Sequence, residues 1–193
     1  MKKYRFEILL FLAYLLLAIA FTWPMAAKIN SSIYGLWGDH FSQLWSDWWR
    51  EEALFSGKSL FCTPLLDAPF GFCYKAVGFE PLRFGLRFAL TLLTNEVLSL
   101  NIWLILSFPL SGLAVYLLVK HLTKNKLAGA FSGLVYAFSM YRFSHAWEHS
   151  SLVFTFWMPF YVWALVRFDE EKNFKRAMVA ALLFSAVLLD NLY

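Results

Sequence analysis

Residues 97–119, VLSLNIWLILSFPLSGLAVYLLV, form an apolar run without a charged side chain. Such a run is typical of a membrane-spanning helix, because about 20 apolar residues in helical form cross the hydrocarbon core of a bilayer. Further apolar runs cover residues 8–25, 127–140, 152–166 and 177–189, and we extend the short run at 127–140 through Tyr141 and Phe143 toward the interface. The sequence therefore predicts about five transmembrane helices.

The overall composition also favours a membrane location. The chain has 193 residues, of which 60% are hydrophobic, 20% aromatic and only 16% charged, and its mean hydropathy is +0.55. The net charge of +4 does not indicate a nucleic-acid partner, because the basic residues form short clusters between apolar runs rather than one basic face. We expect an all-α polytopic integral membrane protein in which residues 1–193 form a single membrane domain.

The distribution of lysine and arginine predicts the orientation. Both are denser around residues 1–5, 120–126 and 167–176 than in the long polar segment at about 28–80, so the positive-inside rule puts the N-terminus in the cytoplasm and residues 28–80 in an outer loop. The run at 8–25 is longer than a typical signal-peptide core and lacks a clear cleavage site, so we expect it to be retained. Residues 81–94, with Arg83 and Arg87 near their start, are too short to cross and should form a re-entrant or interfacial outer helix.

The segment GDHFSQLWSDWWR, residues 38–50, opens the most regularly patterned part of the outer loop. Its apolar side chains recur at the spacing of one helical face, and tryptophan favours the boundary between membrane and water, so we expect an amphipathic outer interfacial helix. The apolar face comprises Phe41, Leu44, Trp45, Trp48 and Trp49. The opposite face, which we expect to be solvated, comprises Gln43, Asp47, Arg50 and Glu51.

Asp39 has two interpretations at the start of this helix. As an N-cap, its carboxylate would accept backbone N–H bonds at the positive end of the helix dipole, for about 1 kcal/mol. As a reactive carboxylate, it would face a lipid-linked substrate at the bilayer surface. Spacing alone favours the cap, because Asp is among the preferred N-cap residues, and one residue can do both jobs.

The chain's two cysteines, Cys62 and Cys73, both fall in the outer loop. In an oxidising compartment they could form a disulfide that closes a short loop, and the alternative is a pair of buried free thiols. A metal site is not expected from two cysteines without a nearby histidine.

A second polar cluster, YRFSHAWEH, covers residues 141–149. His145, Glu148 and His149 match the H-x-x-E-H pattern of inverted zinc peptidases, but the pattern is short and the third ligand is unidentified. A second interpretation is a solvated interfacial loop. A third is a cationic site, Arg142 with one or both histidines, that binds a phosphate or helps to hold a divalent ion.

The order of these features resembles the polytopic GT-C glycosyltransferases. The resemblance is carried by TWPMAAKI at the end of the first run, then GDHFSQLWSDWW, then ALFSGKSLFCTPLLDAPFGF, and then residues 98–165 with their Tyr-Arg pair and later histidine pair. It covers nearly the whole chain. It implies an enzyme of the cell envelope that takes a sugar from a polyprenyl-phosphate donor and passes it to an acceptor on the outer face.

The resemblance also implies roles for individual residues. Asp39 would be the catalytic base or a metal ligand, and Arg142, His145 and His149 would stabilise the donor's leaving phosphate. His40 stands where many relatives carry a second acidic residue, so a divalent metal cofactor, with Asp39, His40 and Glu148 as candidate ligands, stays open. Relatives have more spans, so we expect the chain to be the N-terminal part of a longer protein, inactive alone. The alternative function is a non-catalytic lipid-binding or scaffold subunit of the same architecture.

Overall fold

The structure is a computed structural model that describes residues 4–36, 38–74 and 79–190. The described residues form eight α-helices, two 3-10 helices and one pair of short strands, so the predicted helical class is confirmed. The α-helices are α1 Arg5–Phe21, α2 Asp39–Ser56, α3 Pro81–Thr91, α4 Glu96–Thr123, α5 Lys126–Ala137, α6 Met140–Glu148, α7 Trp157–Glu171 and α8 Phe174–Asp190. The 3-10 helices are Met25–Lys28 and Ser150–Val153, and the antiparallel strands are β1 Cys62–Thr63 and β2 Phe72–Cys73.

Helix α4 is the centre of the fold and contacts α1, α5 and α7. It begins where the Asn95 side chain accepts a hydrogen bond from Leu98 N at 2.8 Å. The helices α4 and α5 approach at their glycines, since a Cβ on Gly133 would lie 2.4 Å from the Gly112 carbonyl oxygen. Small residues allow this backbone-to-backbone contact, which is a common way for apolar helices to associate.

Within the described residues, two helical segments are long and apolar enough to cross a membrane, Glu96–Thr123 and Ser150–Glu171. The predicted count of about five spans is not supported. The apolar run at 8–25 forms helix α1, which ends at Phe21, because the residue before Pro24 disfavours helical geometry. The run at 127–140 breaks at Ser139, whose backbone is extended, so α5 has only 12 residues. The described part of helix α8 has 17 residues, a length of about 26 Å.

Helix α3 has 11 residues, a length of about 16 Å, and is too short to cross a bilayer, as predicted. Its arginines, however, do not face water: Arg83 and Arg87 are both buried. They lie where α3 contacts α2, α4 and α8. Lys2, Lys3 and Lys75, which contribute to the predicted orientation, lie outside the described residues.

Cys62 and Cys73 are joined by a disulfide, so of the two alternatives the structure adopts the bonded one. The two cysteines are direct partners in the β1–β2 pair. Gly71 takes a positive φ of 76° in the return to β2, a conformation that glycine adopts without strain. The disulfide thus closes residues 62–73, which follow α2, into a covalent loop.

Candidate functional site

The chain that leads into α2 lies directly against the C-terminal end of α6. Leu36 N donates a hydrogen bond to the Trp147 carbonyl at 2.9 Å, and the Tyr34 ring meets the Trp147 ring edge to face at 5.3 Å. Gly35 has a φ of 96°, and a Cβ there would lie 2.0 Å from the Trp147 carbonyl oxygen. Only glycine combines this conformation with this approach, and the contact brings the start of α2 beside the end of α6.

Asp39 lies at this junction and pairs with His149. Asp39 Oδ2 is 2.7 Å from His149 Nδ1, and the two side chains are about half exposed, at 51% and 47%. The helix is capped by the backbone of Gly38 without a side-chain bond, so the predicted N-cap role of Asp39 is wrong. The carboxylate lies one residue inside the helix and is turned toward the imidazole. It still benefits from the positive end of the helix dipole.

The two predicted histidines are neighbours. The His145 and His149 rings are 5.9 Å apart, and Tyr141 packs on His145 with ring centroids 4.2 Å apart. Glu148 is close as well, with its carboxylate 4.0 Å from His149 Nε2. The structure therefore brings Asp39, His145, Glu148 and His149 together on one partly exposed surface.

A second hydrogen bond fixes this arrangement. Ser150 Oγ donates to Gln43 Oε1 at 2.8 Å, one helical turn along α2 from Asp39. Helix α2 is thus attached to the α6 terminus at two successive turns, by one exposed and one half-buried bond. Gln43 therefore does not belong to a fully solvated face.

Arg142 does not join the Asp39–His149 site. Its side chain is 1% exposed, and each guanidinium nitrogen donates to a protein oxygen. The acceptors are the Ala137 and Val153 carbonyls, Thr155 Oγ1 and Ser107 Oγ, at 2.7–3.1 Å. Its guanidinium also lies 5.1 Å from the Phe108 ring centroid. Arg142 therefore ties α6 to α4, α5 and the segment before α7, and its donors point into the protein rather than toward a ligand.

The candidate metal ligands are not gathered around one point. Within the part of the chain that the structure describes, no three His, Cys, Asp or Glu side chains could jointly hold a metal ion. His40 is fully buried, and burial lowers its pKa, whereas Asp39 and Glu148 are half exposed. His149 would be a zinc ligand in the peptidase interpretation. Its Nδ1 instead bonds to Asp39, and the residue is the C-cap of α6 rather than part of a helical face.

Sequence reasoning missed a cluster of buried charges beside this site. Asp47 is 6% exposed and its carboxylate bridges two arginines, Arg50 at 3.1 Å and Arg87 of α3. The predicted solvated role of Asp47 and Arg50 is therefore wrong. The cause is α3, which covers this face of α2 and presents buried cations to it. We call Asp47, Arg50, Glu80, Arg83, Arg87 and Asp190 the buried charge cluster.

The buried charge cluster extends to the last described turn of α8. Arg83 donates to the Asp190 carbonyl at 2.8 Å and to its carboxylate at 3.1 Å, and it lies 3.1 Å from the Glu80 carboxylate. Burial raises the pKa of Glu80 to about 7, although Arg83 opposes the shift.

The sequence does contain a signal for the buried charge cluster, since Arg83 and Arg87 are four residues apart on α3 and Asp47 and Arg50 are three apart on α2. That spacing puts each pair on one helical face.

Comparison with known proteins gives no relative: no protein-family model, curated protein or solved structure matches this chain. A half-exposed carboxylate bonded to an imidazole can accept a proton from a bound hydroxyl, and a neighbouring histidine can donate a hydrogen bond to an anion.

Proposed function

We propose that this chain forms part of a membrane-embedded glycosyltransferase that moves a sugar from a polyprenyl-phosphate donor to an acceptor on the extracytoplasmic side. The observation that carries the proposal is the contact between Asp39 and His149, which joins the aspartate of the first outer loop to the later histidine pair. These two motifs are 110 positions apart in the chain. The GT-C resemblance assigns them complementary roles in one reaction.

In the proposed reaction, an acceptor hydroxyl attacks the anomeric carbon of the donor. Asp39 takes the hydroxyl proton, the new glycosidic C–O bond forms, and the bond from the anomeric carbon to the phosphate oxygen breaks with its electron pair on the phosphate. Asp39 Oδ2 is occupied by His149, so Oδ1 is the oxygen that would receive the proton. His149 and His145 would donate hydrogen bonds to the phosphate, whose negative charge grows as the bond breaks.

Arg142 has a positioning role in this proposal. Its four hydrogen bonds hold α6, which carries His145 and is followed directly by His149, against α4 and α5. The donor's lipid chain would lie on the apolar side chains that surround the site. Met140, Tyr141 and Trp147 of α6 and Phe41 and Trp48 of α2 are all exposed, as expected for side chains that contact acyl chains or an interface.

The test is sugar transfer in proteoliposomes that contain the full-length protein and a panel of synthetic polyprenyl-phosphate sugars with a labelled hexose. Asp39→Asn keeps the hydrogen-bond acceptor and removes the base, so we expect labelled product to fall by at least about 100-fold. The matched control is Asp67→Asn in the same loop, where an exposed aspartate with a φ of 53° tolerates asparagine. This variant should transfer sugar normally.

Two results would contradict the proposal. The first is no transfer of any sugar in the panel by the unmodified protein, which would favour the non-catalytic, lipid-binding alternative. The second is transfer by Asp39→Asn at the same rate as the Asp67→Asn control, which would remove Asp39 from the chemistry.

A further inference from the structure

A cleft of about 400 Å³ lies at the far end of the helices, away from the Asp39–His149 site. It is formed by the C-terminal ends of α4 and α7 and the N-terminal ends of α5 and α8. Helix α4 is 28 residues long, so its ends are about 42 Å apart. The α3 end of the molecule carries the buried charge cluster, and the opposite end carries this cleft, which we call the basic cleft.

The basic cleft has an excess of positive charge. Its lining includes five cations, Lys120, Lys124, Lys126, Arg167 and Arg176, and two carboxylates, Glu170 and Glu171. Glu7 engages Lys120 at 2.5 Å from outside the lining, Arg176 pairs with Glu171, and His121 bonds to Glu170 at 2.9 Å. After these pairings, three of the five cations remain without an ion-pair partner among the described residues.

The three unpaired cations are Lys124, Lys126 and Arg167. Among the described residues, none of the three has a carboxylate oxygen within 4.0 Å, and Lys126 Nζ lies 5.5 Å from the centroid of the Phe6 ring. Arg167 is held in place by Trp163, with the guanidinium 4.9 Å from the ring centroid, so its charge is oriented before any ligand binds. Lys124 follows the last residue of α4 and has a φ of 57°.

A smaller, more apolar cavity of about 170 Å³ continues from the basic cleft between α7 and α8. It shares Trp163, Arg167 and Arg176 with the cleft and adds Lys175 and the apolar side chains of Ala164 and Val179. A cationic pocket that opens into an apolar groove along two helices matches a phospholipid, which has an anionic phosphate beside an acyl chain. Free phosphate would use the cleft alone.

We propose that the basic cleft binds the phosphate of an anionic phospholipid, with an acyl chain in the adjoining groove between α7 and α8. The site is separate from the proposed catalytic one and does not depend on it. It also lies at the end of the molecule that the lysine and arginine distribution predicts to be cytoplasmic, where basic pockets between helices meet anionic headgroups.

The experiment is native mass spectrometry of the detergent-solubilised full chain, titrated with phosphatidylglycerol or with phosphatidylcholine of identical acyl chains. We expect one molecule of phosphatidylglycerol to bind at least about tenfold more tightly than phosphatidylcholine. Lys124→Asn should weaken phosphatidylglycerol binding about fivefold, and Lys124→Asn with Arg167→Gln about 30-fold. Asparagine suits the positive φ at position 124, so folding should be retained.

The matched control is Lys172→Asn, because Lys172 also follows the end of a helix with a positive φ, of 43°, but does not line the cleft. Its effect should stay below about twofold, since a screened surface charge contributes little. The charge-preserving pair Lys124→Arg with Arg167→Lys should retain binding, which separates lost charge from lost folding. The proposal would be overturned if the two lipids bound equally tightly, or if Lys172→Asn weakened phosphatidylglycerol binding as much as Lys124→Asn.

A third titration, with inorganic phosphate and glycerol phosphate, distinguishes a lipid from a soluble anion. The proposal predicts weak binding of both, with dissociation constants at least about 100-fold above that of phosphatidylglycerol, because neither fills the apolar groove. Soluble phosphate that bound as tightly as the lipid would overturn the assignment to a phospholipid.

Discussion

Asp39 and Asp47 lie on the same helix, two turns apart, and have opposite environments. Asp39 is half exposed and has one partner, the imidazole of His149. Asp47 is buried and has two partners, the guanidinium groups of Arg50 and Arg87. The first carboxylate is accessible to solvent and ligands, whereas the second is enclosed by fixed cations. An aspartate on an amphipathic helix therefore acquires its role from what covers it.

The two aspartates should also differ in the consequences of mutation. An exposed ion pair is screened and contributes little to stability, while a buried charge that loses its partner is costly. We therefore expect changes near Asp47 to act on folding and changes near Asp39 to act on chemistry.

Asp47→Ala leaves Arg87 buried without its carboxylate partner and also removes a partner of Arg50. We expect the free energy of unfolding to fall by about 3–5 kcal/mol. Urea unfolding in detergent, followed by tryptophan fluorescence, measures the change. The matched variant is Asp39→Ala, and a similar loss for the two variants would erase the distinction between the two aspartates.

Glu80→Gln should alter the pH dependence of stability. Burial raises the pKa of Glu80 from 4.5 to about 7, so between these values the folded protein binds more protons than the unfolded chain. Stability therefore falls as the pH rises from about 4.5 to about 7, by roughly 3 kcal/mol from this group. Burial also raises the pKa of Glu51 to about 7, so Glu80→Gln should flatten the fall without abolishing it.

Unfolding curves at pH 4.5, 6 and 8 measure this effect. The control is Glu52→Gln on α2, because Glu52 is exposed, and it should leave the pH dependence unchanged. If Glu80→Gln and Glu52→Gln had the same profile as the unmodified protein, Glu80 would not be the buried group that titrates.

Gly35→Ala should separate the start of α2 from the end of α6. The added Cβ would meet the Trp147 carbonyl oxygen at 2.0 Å, and alanine disfavours the φ of 96°. We expect a loss of about 1–3 kcal/mol together with reduced sugar transfer, since Asp39 and His149 would move apart. Gly85→Ala on α3 is the control, because nothing lies within 4 Å of its added Cβ, and it should be neutral or slightly stabilising.

Asp39→Asn should have the smallest effect on stability, below about 1 kcal/mol, because the pair with His149 is half exposed and screened. Among Asp47→Ala, Glu80→Gln, Gly35→Ala and Asp39→Asn, we expect Asp39→Asn to have the largest effect on sugar transfer. The same detergent unfolding assay measures stability, and the proteoliposome assay measures transfer. A variant that lost stability in proportion to transfer would show that Asp39 acts as a structural residue instead.

Part of this architecture could be predicted from the sequence. The helical class, the amphipathic helix from residue 39 onward and the short helix around residues 81–91 all follow from local periodicity. The span count could not be obtained in this way, because apolar runs are interrupted by local backbone events. Pro24 ends α1 early and the extended Ser139 separates α5 from α6. The mean hydropathy of a segment depends only on its side chains, so it does not detect these breaks in the backbone.

The candidate site was predicted only in part. The sequence predicts Asp39, Arg142, His145 and His149 as site residues. Asp39 and the two histidines lie together, whereas Arg142 is buried away from them. The residues next to Arg142 in the sequence alternate between aromatic and polar. This pattern is equally compatible with an arginine that binds a ligand and with a buried arginine that connects helices. Only the acceptors from three other segments, at Ser107, Ala137 and Val153–Thr155, distinguish these roles.

The sequence by itself determined which residues are apolar, where helices begin and which faces they present, because these depend on neighbours within a few positions. The tertiary structure decided which of those faces are covered. Helix α3 brings Arg87 onto Asp47, and the α6 terminus brings His149 onto Asp39. The physical reason is that a carboxylate's solvation and partners depend on groups distant in the chain, 40 positions away for Asp47 and 110 for Asp39.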